Sequence, residues 1–184
     1  MNKQKDYLIC LRKDGSMVIG NPYNFSIIFD IVDEWNKDES FNNGIMFISI
    51  NGKLILPAIN TIPLKTELSR FINKLKKPMH NDTIFAMDKD RAFTTIYKLT
   101  FPDDYDDDYN CDYDVTPFNF ADNSCFVFMI ANNDKIRILS SKLEYIVAES
   151  HHNLKNIKVM ETYITSLELE KIIVELEKIW EVYN

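Results

Sequence analysis

The sequence predicts an α+β fold in a single domain, a largely antiparallel β-sheet packed with about three α-helices. Three observations carry that expectation. Runs with the two-residue period of a strand come in groups, not in alternation with helices, which favours antiparallel pairing over a doubly wound sheet. Segments beginning near residues 63, 88 and 165 carry apolar residues at helical spacing. Finally, 184 residues that are 46% hydrophobic and 27% charged, with only four Gly and six Pro, suit one globular domain without long linkers.

The first β-rich runs, 7–11 and 16–20, flank Arg12-Lys13-Asp14-Gly15, and Asp-Gly is a hairpin signal. Beyond Asn21-Pro22, Phe25, Ile27, Phe29 and Ile31 alternate with Ser26, Ile28, Asp30 and Val32, as in a strand. Polar residues 36–43 turn the chain into a second strand over 44–50, and Asn51-Gly52 predicts a type I′ turn into 53–56. Pro63 can open a helix, since its missing N–H costs nothing at the first position. Leu64, Leu68, Phe71, Ile72 and Leu75 form its apolar stripe, and Lys74, Lys76 and Lys77 end it before Pro78. A second helix spans about 88–99, with Phe93, Ile96 and Tyr97 on its apolar side and Pro102 closing it.

Residues 124–131 and 135–141 flank Asn132-Asn133-Asp134 as a tight hairpin, which 143–149 prolongs, and 157–164 alternates as one more strand. In the last helix Thr165 and Glu168 have capping-box spacing. Leu169, Ile172, Ile173, Leu176, Ile179, Trp180 and Tyr183 line one face of it.

Nothing in the chain reads as a signal peptide core or as the roughly 20 apolar residues of a membrane span. Three cysteines (Cys10, Cys111, Cys125) without C-x-x-C spacing suit reduced thiols, so the expected location is cytoplasmic. A net charge of −7 argues against direct binding of nucleic acid or of an anionic membrane.

No catalytic or metal motif emerges, and no cofactor is expected. Asp104, Asp106 and Asp108 have the alternate spacing that opens a calcium loop. The sixth and twelfth positions counted from Asp104 are Tyr109 and Val115, not the Gly and Glu such a loop needs. His151 and His152 are adjacent, so on a strand they point to opposite faces and cannot share an ion, and His80 has no partner at ligand spacing. A Cys125–His152 nucleophile pair is the remaining catalytic candidate, against the plainer reading of Cys125 as a small buried hydrophobe in an apolar strand. The four isolated glycines make neither a P-loop nor a dinucleotide fingerprint.

The charge itself is concentrated. Residues 103–114, DDYDDDYNCDYD, hold seven Asp and no Lys or Arg, so the other 172 residues sum to zero. The candidate partner-binding residues are therefore Asp103, Asp104, Tyr105, Asp106, Asp107, Asp108, Tyr109, Asp112, Tyr113 and Asp114. Tyrosines offer rigid contact area with a polar tip, and carboxylates beside them steer and pair with a basic partner. The plainer reading is an acidic surface loop whose tyrosines pin it to the body.

Five blocks together resemble the immunity protein 42 family: MVIGNPYNFSIIFDIVDEW (17–35), FNNGIMFISINGKL (41–54), YKLTFPDDYDD (97–107), SCFVFMIANNDKIRILSSKLEY (124–145) and SHHNLKNIKVMETYI (150–164). Proteins of this kind are encoded beside a toxin gene in bacterial polymorphic-toxin systems. The resemblance implies a cytoplasmic immunity protein that binds and neutralises a cognate protein toxin stoichiometrically, not an enzyme; it carries no functional residues over. Residues 1–16 lie outside the resemblance, either an extra hairpin or a stretch ahead of an alternative start at Met17. A nuclease toxin would suit the acidic segment, because nuclease clefts are positive. The alternatives left open are an acidic nucleic-acid mimic that inhibits a DNA- or RNA-binding protein, and an enzyme of unrecognised type.

Overall fold

The computed structural model describes residues 17–36, 43–55, 61–102, 109–148 and 151–182. Strands β1 (Met17–Asn21), β2 (Phe25–Ile31), β3 (Asn43–Ile50) and β4 (Lys53–Ile55) form an antiparallel meander in that order. β5 (Ile62–Pro63) joins at the start of β3. The β3–β4 turn has positive φ at both Asn51 (50°) and Gly52 (75°), as a type I′ turn requires. Gly44 serves close approach: a Cβ there would collide with the Asp30 carbonyl and with Leu64 Cδ1. The first strand of the expected 7–20 hairpin and its turn lie outside the described residues, while residues 17–21 pair with β2.

Helix α1 (Leu64–Leu75) buries Leu64, Leu68, Phe71, Ile72 and Leu75, the predicted stripe. Pro63 sits at its cap, one position earlier than expected, because its backbone is still extended and pairs with β3. Two elements follow that periodicity did not reveal: β6 (Met79–His80) and the single-turn α2 (Asp82–Ala86), whose N-cap Asn81 accepts from the Ile84 N–H at 2.9 Å. α3 (Lys89–Thr100) is capped by Asp88, which accepts from the Arg91 N–H at 3.0 Å. α4 (Phe118–Ala121) is one further short turn.

A second sheet has the order β11-β8-β7-β6, built from β6, β7 (Cys125–Asn132), β8 (Lys135–Lys142) and β11 (Met160–Thr165). Only its β6–β7 pair is parallel among the described strands. Over 143–148, the described part of the expected extension, β8 is not prolonged. Instead β9 (Glu144–Ile146) and β10 (His151–Asn153) make a separate two-stranded ribbon: the Leu143 N–H adds a last rung to the β7–β8 ladder at the Ser124 carbonyl, 2.8 Å away, and the positive φ of Ser124 (58°) turns the partner chain away there. The closing helix α5 (Ser166–Val182) carries the expected capping box: the Thr165 N–H donates to Glu168 Oε2 at 2.7 Å and the Glu168 N–H to Thr165 Oγ1 at 3.1 Å.

The fold is thus α+β and largely antiparallel, with its strands divided between two sheets and a ribbon. β7 explains the division. Its residues from Cys125 to Ala131 are all buried, so it has apolar partners on both faces. Cys125, Val127, Met129 and Ala131 enter a core shared with the first sheet, α1 and α5. Phe126, Phe128 and Ile130 enter a second core under α2 and α3. Helices therefore reach both faces of the second sheet.

Candidate functional site

Residues 103–108, and with them Asp103, Asp104, Tyr105, Asp106, Asp107 and Asp108, lie outside the described residues, as does the calcium-loop spacing that runs through them. Their attachment points are described. α3 delivers the chain to the surface at Phe101, and the Asn110 N–H bonds the Leu99 carbonyl at 2.8 Å. The two ends of the acidic stretch are thereby held together at the C-terminus of α3. Tyr109 is 59% exposed, and Asp112 is exposed on a turn in which its N–H donates to Asn110 Oδ1 at 2.8 Å.

Past that turn the same segment becomes structural. Tyr113 is only 3% exposed and lies in the second core, where its hydroxyl accepts from Asn81 Nδ2 at 2.9 Å. Asp114 is half-buried, paired with Lys74 Nζ at 3.0 Å and accepting from the Thr116 N–H at 2.9 Å. Residues 113–116 run along β7: the Met129 N–H bonds the Tyr113 carbonyl at 2.9 Å and the Val115 N–H the Val127 carbonyl at 3.0 Å. Tyr113, one of the candidate partner-binding residues, is thus buried against the body. A ring on the β7 side of a paired segment has to enter the core, and its phenol is matched by an amide there.

The cysteine–histidine candidate also resolves geometrically. Cys125 Sγ is buried on the first-core face of β7, and burial raises its thiol above the usual range, with Lys142 partly offsetting this. His152 lies on the opposite side and meets Ser124 instead, with Nε2 2.9 Å from Ser124 Oγ and Nδ1 2.7 Å from the Tyr97 hydroxyl. Burial, and secondarily the charge of His151, holds His152 below the usual imidazole range. A nucleophile–base–orienter chain would need the outer partner to stabilise an imidazolium, and a phenol does that poorly compared with a carboxylate. What the two bonds do is fasten the β9–β10 ribbon to α3 and to the start of β7.

That fastening assembles a group of rings the sequence did not single out. Tyr97, Phe101, Phe126, His152 and Tyr145 pack in succession with centroids 5.0 to 5.9 Å apart. Phe101 and Tyr145 are its exposed ends. The adjacent histidines were the available signal, since on a strand only one of them can face inward.

Among the described residues no three His, Cys, Asp or Glu side chains stand together as a metal site, and no helix is long and apolar enough to cross a membrane. Glu67 is the carboxylate that burial raises above its usual range, opposed by the hydrogen bond from the Phe118 N–H and by Arg70. It receives that N–H at 3.1 Å at the start of α4, which is a capping role.

The described residues form an α+β fold with an aromatic cluster at the C-terminal end of α3. The immunity protein 42 family matches residues 17–179, and the chain belongs to that family. It is a toxin-immunity protein, which favours that reading over the nucleic-acid mimic. The crystal structure of CdiI from Burkholderia dolosa AUO158 is similar to this fold with a TM-score of 0.70 at 18% identity, covering 88% of this chain and 99% of that one. At that identity the likeness concerns the fold. No curated protein matches the sequence.

Proposed function

We propose that this immunity protein acts in the cytoplasm without catalysis, by stoichiometric binding that blocks a cognate protein toxin, and that residues 103–112 face the toxin. The observation that carries the reading is the placement of charge. The whole net charge of −7 resides in residues 103–114, whose two flanks are clasped at the C-terminus of α3. Asp103, Asp104, Asp106, Asp107, Asp108 and Asp112 supply the carboxylates, and Tyr105 and Tyr109 the contact area. Tyr113 and Asp114 anchor the segment from below. Like charges this close repel one another in the free protein, and a basic partner relieves that repulsion. A nuclease is the toxin class that best fits, since its cleft holds phosphates with cations.

Titration calorimetry at two salt concentrations tests this, using the inactivated toxin encoded beside the chain's own gene. Converting Asp104, Asp106, Asp107 and Asp108 to Asn should weaken binding by at least ~3 kcal/mol, roughly a hundredfold, with a shallower salt dependence. The melting temperature should barely move. Asp114→Asn should do the reverse, lowering the melting temperature while leaving affinity intact. A quadruple variant with parental affinity and salt dependence would return the segment to a solvated loop.

A further inference from the structure

We infer that the ring cluster beside the acidic segment is the platform on which Arg and Lys side chains of the toxin dock, with Phe101 and Tyr145 as its contact rings. The inference rests on the reading that the acidic segment faces the toxin, and adds to it residues that carry no charge.

The cluster is continuous. Phe101 lies 5.0 Å from Tyr97 and 5.2 Å from Phe126, His152 lies 5.1 Å from Phe126, and Tyr145 lies 5.0 Å from His152. Its inner rings belong to the second core or pack on it. Its outer rings remain open, Phe101 at 41% and Tyr145 at 48% exposure. Tyr145 is held in place although its strand has only three residues, too few for an isolated hairpin to persist in water. Tyr145 is the cross-strand partner of His152, and the two bonds of His152 to Tyr97 and Ser124 fix the ribbon. The rings are thus presented before any partner arrives, which lowers the ordering cost of binding.

Charge selects the occupant. Asp103 begins two residues after Phe101, and the bond from Asn110 to Leu99 returns the chain to the same edge. An aromatic face so near in sequence to an acidic run suits guanidinium and ammonium groups, which stack on the ring quadrupole and are attracted by the acids. An acidic partner would be repelled. A second copy of this chain would bring its own net charge of −7, carried by the same segment.

The test is calorimetric titration of the inactivated neighbouring toxin against Tyr145→Ala, Tyr145→Leu, Tyr145→Phe and the four-Asp variant, with melting curves and sedimentation for each. The expected result is a loss of about tenfold or more for Ala and Leu, and a change within about twofold for Phe, at parental melting temperature. Leu retains apolar area, so parental binding by Tyr145→Leu would overturn the cationic occupant. Parental binding by all three, with the four-Asp variant weakened, would overturn the platform and leave the acidic reading standing. Parental binding by every variant would overturn both. A parent dimer that Tyr145→Ala dissolves without loss of toxin affinity would assign the rings to a second copy and overturn the inference.

Discussion

Arg137 of β8 and Glu161 of β11 form an ion pair at the sheet face under α2, in which Nε and Nη2 of the guanidinium both meet Glu161 Oε1 at 2.6 Å. Arg137 is 1% exposed. Its remaining nitrogen, Nη1, donates to the carbonyls of Phe85 and Met87 at 2.8 Å each, and to that of Ile84 at 3.3 Å. Those carbonyls lie at the end of α2, where that of Ile84 also accepts from the Met87 N–H at 3.2 Å, so one side chain both closes a helix and pairs a carboxylate. Replacing Arg137 with Met should cost about 3 kcal/mol or more, because Glu161 loses its cation while the Phe85 and Met87 carbonyls lose a donor. For a chain of this size that is a fall in melting temperature of roughly 10 °C. Lys should rescue little, since a single ammonium cannot span both groups. Glu161→Gln, which keeps an acceptor, should fall between. Differential scanning calorimetry at neutral pH measures the order.

The Glu67 carboxyl predicts an unusual response to neutralisation. Burial raises its pKa, so at neutral pH the folded protein bears the cost of a charge it resists. Its contribution to stability is largest below the unfolded value of about 4.3 and is lost as pH rises through the folded value. Glu67→Gln keeps an acceptor for the Phe118 N–H and should melt at or above the parent temperature at pH 7.5, the advantage shrinking as the buffer is acidified. Glu67→Ala leaves that N–H without its acceptor and should cost about 1 kcal/mol.

His152 behaves in the opposite sense. Its folded pKa is lowered, chiefly by burial, so the unfolded chain takes up a proton that the folded one refuses. The stability it contributes is complete above the unfolded value of about 6.5 and is lost as pH falls through that value toward the folded one. Comparing melting temperatures at pH 7.5 and 5.0, the drop should be larger for the parent than for His152→Gln. Equal drops would show that His152 does not govern the acid limb.

Thiol reactivity should follow burial. Cys111 is exposed and Cys125 buried, with Sγ held 3.6 Å from the Asn123 carbonyl. In the native protein a thiol reagent should modify Cys111 quickly and Cys125 only with unfolding. Unfolded protein prepared without oxidant should give a count of three. A count of one would mean a disulfide and would contradict the cytoplasmic location proposed above.

What could be read from the sequence was local. The Thr165–Glu168 box and the Asn51-Gly52 turn are decided by residues a few positions apart, and the structure has both. The apolar run of β7 marked a strand, but its burial on both faces depends on partners as far away in sequence as Met17. The break after Leu143 was hidden for the same reason, since it falls where the distant Ser124, at a φ of 58°, ends the partner strand. β6 and α2 are shorter than any period that could reveal them. Within the acidic segment, Tyr109 and Tyr113 have equivalent surroundings in sequence. Only the fold separates them, by bringing Asn81 to the Tyr113 hydroxyl.

The clasp between Leu99 and Asn110 also bears on how such a protein diversifies. The chain before and after residues 103–108 is held by that bond, and the Lys74–Asp114 pair secures the stretch that follows. Loop closure costs little more as a surface segment lengthens, about 0.6 kcal/mol per doubling. Substitutions, insertions and deletions between the clasped ends therefore place almost no load on either core. A lineage facing an altered toxin can rewrite this stretch first, while the scaffold that holds it stays unchanged.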